Sequence, residues 1–441
     1  MKIHDFSGGF FFEPSTKQLK KLFAVENENV FTFTPKTVTI PFDQHIGAPN
    51  ELVVSIGETV RQGQIIAKSS ADISGHVHAS VSGIVLEILE VPTFDGETQS
   101  AIKIQCTQEA TTPELIPEEL DPETTVRHAG IVGLGGATFP THIKLDPDDR
   151  IEIEAVILNG AECEPFLASD DYLMRYESRK ILRGGELARQ IVGAKKILIG
   201  IESDKPKALA AMKEVAKTIP DCHVLALPVK YPQGGEGQLL ETLLAKESPI
   251  DGRSVETGGF TINVATAFAI AEAVDERKSL THRYVTITGD VVEPKVIAFP
   301  LGTSVGDLID YCGGFAGTPS RIIHGGPMMG KTITSLDFPL AKGSNGIIVF
   351  NQEHDGKLPE SPCIRCNRCV DVCPVRLEPQ SIDLAYRNND LFTCDQLMAE
   401  KCINCGCCTY VCPARRDLAA KISAAGAEIK AIKKELAANE K

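Results

Sequence analysis

The rhythm of hydrophobic and polar positions changes several times along the 441 residues. Over residues 37–106, short β-branched runs are broken by glycine turns, as in ELVVSIGETVRQGQIIAKS and HVHASVSGIVLEILEV. Strict alternation is patchy, but the repeated spacing of run and turn predicts a small antiparallel β-domain. Over 126–274 the pattern becomes strands alternating with helices. Ala155-Val156-Ile157-Leu158, Lys196-Ile197-Leu198-Ile199 and His223-Val224-Leu225-Ala226 read as buried strands, with helices over 170–192 and 205–218. That alternation implies an α/β domain with a largely parallel sheet. Strands return over 282–350, with a helix at 304–311 and the run RIIHGGPMMGK, which fits a small α+β domain. Near the end, Leu418, Ile422, Ala425, Ile429, Ile432 and Leu436 recur every three or four residues, predicting a helix with one apolar stripe.

Composition narrows the class. The chain is 43% hydrophobic and 24% charged, which is ordinary for a globular protein. A formal charge of -14 with no evident basic run argues against nucleic acid as a partner. Phe10, Phe11 and Phe12 form only a brief apolar run before Glu13 and Pro14, unlike a signal peptide. The apolar window 263–274 contains Glu272 and falls short of the ~20 residues a membrane helix needs. The acidic, proline-bearing segment 107–123 reads as a linker or surface crossover.

Fourteen cysteines bring in the strongest chemistry. Cys363, Cys366, Cys369 and Cys373-Pro374 are followed by Cys402, Cys405, Cys408 and Cys412-Pro413, and both runs read C-x2-C-x2-C-x3-C-P. Bacterial ferredoxins hold two 4Fe-4S cubanes with this spacing, the fourth cysteine of each run ligating the other cluster. Cys363, Cys366, Cys369 and Cys412 are therefore expected on one cubane, and Cys402, Cys405, Cys408 and Cys373 on the second. Structural zinc sites also use C-x2-C pairs, but they require neither the third cysteine at that step nor the proline. Cys394 and Cys407 fall outside the register, and they and Cys106, Cys163, Cys222 and Cys312 read mostly as small buried hydrophobes. His76 and His78 alternate on a strand and read as two solvated edge histidines.

Three loops of the α/β region carry further candidates. GIVGLGGATFPTHIK supplies a glycine-rich turn with Pro140 near a helix start and Lys144 as a cation, suited to a phosphate. It departs from the G-x-G-x-x-G spacing. Asn159-Gly160-Ala161-Glu162-Cys163-Glu164-Pro165 and Tyr231-Pro232-Gln233-Gly234-Gly235-Glu236 come near strand ends, where open α/β sheets bind ligands.

These parts in this order resemble the RnfC subunit of the Rnf electron transport complex. The α/β part is similar to the FMN- and NADH-binding flavoprotein subunit of respiratory complex I, whose loops read RGGAGFPTGLK, NADEGEP and GEE. GETVRQGQIIA with HVHASVSGIV resembles the barrel-sandwich fold of biotinyl and lipoyl carriers, but the tip at Ala71 to Ser74 lacks their lysine, and Lys68 sits on the strand before it. That implies the fold without swinging-arm chemistry.

The resemblance implies that Gly133, Gly135, Gly136 and Lys144 surround FMN, and that Asn159, Glu162 and Glu164 line the flavin and nicotinamide site. Phe139 would stack on the NADH adenine, Gly234 and Glu236 would lie by the flavin, and Asn263 with Thr266 would reach the FMN phosphate. Ala161, Gly235 and Leu134 depart from the complex I pattern, where an acidic residue, a Glu and an Arg stand.

The expected architecture is multidomain α/β and α+β. It comprises a barrel-sandwich-like β-domain (1–106), an acidic linker (107–125) and a Rossmann-like FMN/NADH domain (126–281). A β-grasp-like domain (282–355), a two-cluster ferredoxin-like helical domain (356–416) and an amphipathic C-terminal helix (417–441) follow. Nicotinamide moves two electrons as a hydride and a cubane moves one, so a flavin must stand between them. No side chain need act as catalytic acid or base.

The implied function is ferredoxin:NAD+ oxidoreduction coupled by the complex to Na+ or H+ translocation. The implied partners are NADH, the membrane subunits and the ferredoxin-type RnfB protein of the complex, at the cytoplasmic side of the membrane, with membrane contact through partners. Related readings are a cobalamin reductase-like or bifurcating-dehydrogenase flavoprotein. A flavin-free iron-sulfur relay is the reading of a different class.

Overall fold

The computed structural model describes residues 3–13, 15–16, 23, 25, 31–94, 96–107, 111–148, 150–356 and 359–439. Residues 108–110 of the expected linker and 440–441 of the expected C-terminal helix lie outside them.

Four parallel strands form the centre of the α/β part: Ala155–Gly160 (β9), Lys196–Glu202 (β10), Cys222–Leu227 (β11) and Gly259–Asn263 (β12), in the order β11-β10-β9-β12. Their side chains alternate between two cores. Val156 and Leu158 face the principal core, while Ala155 and Ile157 face a second one with Leu239, Leu240 and Leu243 of helix Glu236–Leu244. A parallel strand covered on both faces needs apolar residues at every position, which is why AVIL reads as an unbroken run.

The expected helix over 170–192 is two helices, Ser169–Tyr176 and Ser178–Ile191, interrupted at Glu177. The second lies against helix Val264–Glu276, where Gly184 permits the contact. A Cβ on Gly184 would stand 1.7 Å from the Ala267 carbonyl oxygen.

The N-terminal β-part is two antiparallel sheets. One joins Thr37–Pro41 (β2), Thr98–Cys106 (β8), Gly83–Pro92 (β7) and Thr59–Val60 (β4). The other joins Glu51–Leu52 (β3), Ile65–Lys68 (β5) and Val77–His78 (β6). Val38, Ile40, Val60, Ile66, Ile102 and Ile104 fill the space between them. Ile116 in the acidic segment is buried, and Glu114 and Ile116 donate backbone N–H groups to Gln62 and Arg277 carbonyls. The segment is thus a pinned crossover. Helix Pro122–His128 already begins within the expected linker.

A six-stranded mixed sheet follows, with Phe31–Thr32 (β1), Lys295–Pro300 (β14), His282–Gly289 (β13), Gly346–Asn351 (β17), Pro319–His324 (β15) and Lys331–Ile333 (β16) in spatial order. Its Val285, Ile287, Ile297 and Val349 belong to the same core as Val156 and Leu158, so the two sheets share one apolar interior. The cysteine-rich segment has a separate core with the C-terminal helix Leu418–Asn439, which buries Leu418, Ile422, Ala425 and Ile429. Ile432 and Leu436, on the same stripe, are exposed.

Candidate functional site

Strand order locates the crevice. From β9 the chain runs outward through β10 and β11, then β12 returns to pair on the other side of β9. Open parallel sheets bind ligands outside the carboxyl ends at such a reversal. Asn159 lies at the end of β9, Asn263 ends β12, and the two are register partners.

Asn263 caps helix Val264–Glu276, accepting the Ala265 N–H at 2.8 Å, and its amide donates to Asp170 at 2.7 Å. Gly135 lies against Asn263 at the start of that helix, and Gly136 adopts φ +110° with open space where a Cβ would be. The glycine turn is anchored through Leu134. Its N–H donates to Thr266 Oγ1 at 2.9 Å, and its carbonyl accepts from Arg283 Nη2 at 3.0 Å. Exposed backbone at Gly135 and Gly136 therefore sits over a helix N-terminus, a combination that favours an anion. Gly133 and Phe139 are half-buried, and the Gly133 N–H donates to the Phe139 carbonyl.

Lys144 and Glu236 form an ion pair at 2.9 Å, joining the glycine turn to the third loop. Asn159 ties that loop from the other side, donating to the Gly234 carbonyl at 2.8 Å. Glu162 and Glu164 diverge. Glu162 is buried and accepts the N–H groups of Asp170 and Asp171 at 2.9 and 3.2 Å, so it caps helix Ser169–Tyr176. Burial raises its pKa, against the attraction of Lys205. Glu164 accepts from the Met328 and Met329 N–H groups at 2.9 and 2.8 Å, and burial pushes its pKa up to about 7. Thr266 is fully buried with its hydroxyl on Leu134, so it shapes the turn instead of projecting into the crevice.

The two cysteine runs interlock. Cys363, Cys366, Cys369 and Cys412 line one cavity, with Ile364, Gln380 and Arg416 beside them. Cys402, Cys405, Cys408 and Cys373 line another, with Val375, Leu377 and Ile422. The repeat extends to the backbone. Left-handed residues recur at equivalent places as Arg365 and Asn404, Asn367 and Gly406, and Arg376 and Arg415. Each first cysteine also accepts an N–H, from Arg365 to Cys363 and from Asn404 to Cys402, both at 3.4 Å. Among the described residues no three His, Cys, Asp or Glu side chains converge on a point where a single metal ion would sit. Each thiol set surrounds a cavity instead.

Four residues of this region were given no role from the sequence: Asp170, Arg283, Tyr231 and Met328. Tyr231 is buried and donates to the Cys405 carbonyl at 2.8 Å, linking the third loop to the cysteine domain. Phe10 and Phe12 pack on Tyr231 and Tyr410 in the same seam. The signal was the tyrosine preceding Pro232 and the GGPMMG turn, both noted but without assigned partners.

Two sequence expectations are corrected. His78 is buried at 1% exposure and His76 is half-buried, because helix Pro122–His128 and Lys342 cover their strand. Cys106, Cys163 and Cys222 are partly exposed, whereas Cys312, Cys394 and Cys407 are buried.

An α/β crevice with a glycine turn over a helix N-terminus, abutting a twice-repeated ferredoxin-type cysteine domain, defines an iron-sulfur flavoprotein of the nucleotide-reacting kind. Family models agree part by part. A RnfC barrel sandwich hybrid domain matches residues 5–109, the Nuo51 FMN-binding domain 126–272, an SLBB domain 284–332 and a 4Fe-4S dicluster domain 362–415.

The chain belongs to the RnfC family, the C subunits of the ion-translocating ferredoxin:NAD(+) oxidoreductase (Rnf) complexes. It is 42% identical to the C subunit of the proton-translocating ferredoxin:NAD(+) oxidoreductase complex of Clostridium ljungdahlii, over 79% of this chain and 78% of that one. It is 40% identical to the Na(+)-translocating counterpart of Acetobacterium woodii, over 90% and 91%. In fold it is similar to a chain of an NAD+-reducing NiFe-hydrogenase, at TM-score 0.51 and 21% identity, over 69% of this chain and 63% of that one. No helix among the described residues is long and apolar enough to cross a membrane.

Proposed function

We propose that this chain is the nicotinamide-reacting subunit of such a complex, passing electrons between NAD(H) and two 4Fe-4S clusters through FMN, with ferredoxin as the distant partner. The observation that carries the reading is the seam in which Cys163 and Tyr231 of the crevice loops pack against Cys405 and Cys407 of the cysteine domain. A two-electron site and a one-electron site would thereby lie close together, which supports electron transfer between them.

The residues fit the groups. Exposed Gly135 and Gly136 leave room for an isoalloxazine or phosphate, and the Asn263-capped helix offers the positive end of its dipole. Gly133, Gly135, Gly136, Lys144, Asn159, Gly234, Glu236 and Asn263 would hold FMN, with Glu162, Glu164 and Thr266 fixing the loops, and Phe139 stacking on the nicotinamide nucleotide. Cys363, Cys366, Cys369 and Cys412 would hold one cluster, and Cys373, Cys402, Cys405 and Cys408 the other.

Bound flavin supplies the conversion between hydride and single-electron transfer. The protein's own work is orientation and electrostatics. The finer architecture follows: a Rossmann-like unit over 126–281, a β-grasp-like unit over 282–355 and a two-cluster unit over 356–416. The protein would sit peripherally on the cytoplasmic face, reaching the membrane through its partners, among them the ferredoxin-type RnfB protein. The coupled ion would be Na+ or H+.

Anaerobic mixing with NADH tests this reading. The flavin band should bleach first, and cubane EPR signals should follow. In Cys366→Ser, iron should fall by about half, as loss of one of two cubanes requires, while NADH still bleaches flavin. Equal loss of bleaching would contradict separate sites.

A further inference from the structure

We infer that the hairpin tip at 325–330 is a strap that sets the contact between the flavin loop and the cluster of Cys373, Cys402, Cys405 and Cys408, with Met328 as its positioning residue. The inference rests on the proposed flavin site and adds a part to it from the six-stranded sheet.

The tip joins β15 to β16, whose register Ile322↔Ile333 and His324↔Lys331 aims it out of the sheet. It is held rigidly. The Gly325 N–H donates to the Gly346 carbonyl at 2.7 Å, and the Gly330 N–H to the Gly326 carbonyl at 2.8 Å.

On one side the tip grips the flavin loop. Successive N–H groups of Met328 and Met329 each take one oxygen of the Glu164 carboxylate. Gly326 is pressed against that carboxylate, and a Cβ there would come within 2.3 Å of it. On the other side the tip meets the cluster loop. Gly406 stands between Cys405 and Cys407 at φ +73°, and a Cβ on it would lie 2.8 Å from the Met328 carbonyl oxygen. The Met328 side chain joins Phe12, Tyr231, Cys405 and Cys407 in one apolar cluster. A single residue thus holds an acidic side chain of the crevice through its N–H, abuts the cluster loop through its carbonyl, and packs beside the cluster cysteines.

Two consequences follow. Electron tunnelling falls steeply with distance, so loosening the strap slows transfer into the cluster without touching hydride transfer. Solvent exposure tunes a cubane's potential, so removing the Met328 side chain alters one cluster and spares the one held by Cys363, Cys366, Cys369 and Cys412. In the test direction two electrons and a proton enter as a hydride from NADH. Two cubanes would then take one electron each, the core charge of each falling by one, and the single proton that came with the hydride would go to buffer.

The experiment uses the full chain with its cofactors, purified anaerobically, as Met328→Ala, Met328→Leu and Gly326→Ala. Stopped-flow mixing with NADH follows flavin bleaching and cubane reduction separately, and EPR redox titration follows both cubane potentials. In Met328→Ala, bleaching should keep its parental rate while cubane reduction slows severalfold. One cubane potential should move and the other stay. Met328→Leu should recover most of both.

Gly326→Ala, whose Cβ would displace the Glu164 carboxylate, should also slow cubane reduction, and if it does not fold the Met328 pair decides. Parental cubane reduction with both potentials unchanged in Met328→Ala would overturn the strap. So would equal slowing of bleaching and cubane reduction. A parental chain that NADH does not bleach would instead sink the nicotinamide reading itself.

Discussion

Lys144 and Glu236 lie 92 residues apart in the chain and meet at 2.9 Å across the crevice. In the proposed site Lys144 would supply the cation that keeps Glu236 from repelling an anionic flavin phosphate. Lys144→Ala should weaken FMN retention about tenfold to a hundredfold, since a hydrogen bond to a charged group is worth about 1.5–3 kcal/mol. Equilibrium dialysis followed by flavin fluorescence reads this, and unchanged occupancy would remove Lys144 from the site. At this scale the division of the cysteines into two sets was legible because both runs repeat one spacing, and the fold brings the fourth cysteine of each run to the other's cavity. The glutamates were legible only as candidates. What distinguishes Glu162 from Glu164 is their donors, Asp170 and Asp171 for one and Met328 and Met329 for the other, and those arrive through tertiary folding. Leu134, a departure from the complex I pattern, proves to be pinned at both its N–H and its carbonyl, so its backbone does the positioning.

Helices Ser178–Ile191 and Val264–Glu276 show what an element's sequence conceals. Gly184 and Gly185 weaken a helix by propensity, yet here they let one helix approach another and the sheet, with Gly185 against Leu158. Gly184→Ala should force the pair apart, and overpacking of this kind costs about 1–3 kcal/mol. Thermal unfolding should show a lowered Tm with FMN release accompanying it, and an unchanged Tm would mean that the two helices slide apart freely. Strands β9 and β10 were legible from their unbroken apolar runs, because burial on both faces leaves that mark, whereas β11, expected to be buried, is an edge strand with His223 and Ala226 exposed, and the mixed run of β12 was not read as a strand. The break at Glu177 was not legible, since apolar periodicity carries on through both helices while the backbone there turns to φ -119°. The crossover at 107–123 looked loose by composition, but Ile116 is buried and its N–H is bonded to the Arg277 carbonyl.

Three parts of the molecule meet where Lys342, fully buried, donates to the carbonyls of His76 and Gly130. His78 and His128 complete this junction, and burial lowers the pKa of each histidine, His76 to about 4. Lys342 itself is pushed down to about 7. For the histidines the unfolded chain takes up protons first as pH falls below 6.5, so the folded state loses stability below that pH, for His76 down to about 4. His78→Gln should flatten the fall in Tm as the pH is lowered below about 6.5, and an unchanged slope would mean that other groups control it. No reading of the His76-Val77-His78 alternation could have found this, because the groups that bury it come from residues 122–128 and 342. The whole molecule thus carries a crevice and a cluster domain meeting at Tyr231, Met328 and Cys405. That account is tested most directly by anaerobic purification with iron, acid-labile sulfide, zinc and flavin analysis on one sample. It predicts about eight iron and eight sulfide per chain, as two cubanes require, and about one non-covalent FMN. Zinc without sulfide, or full iron with no flavin, would contradict it.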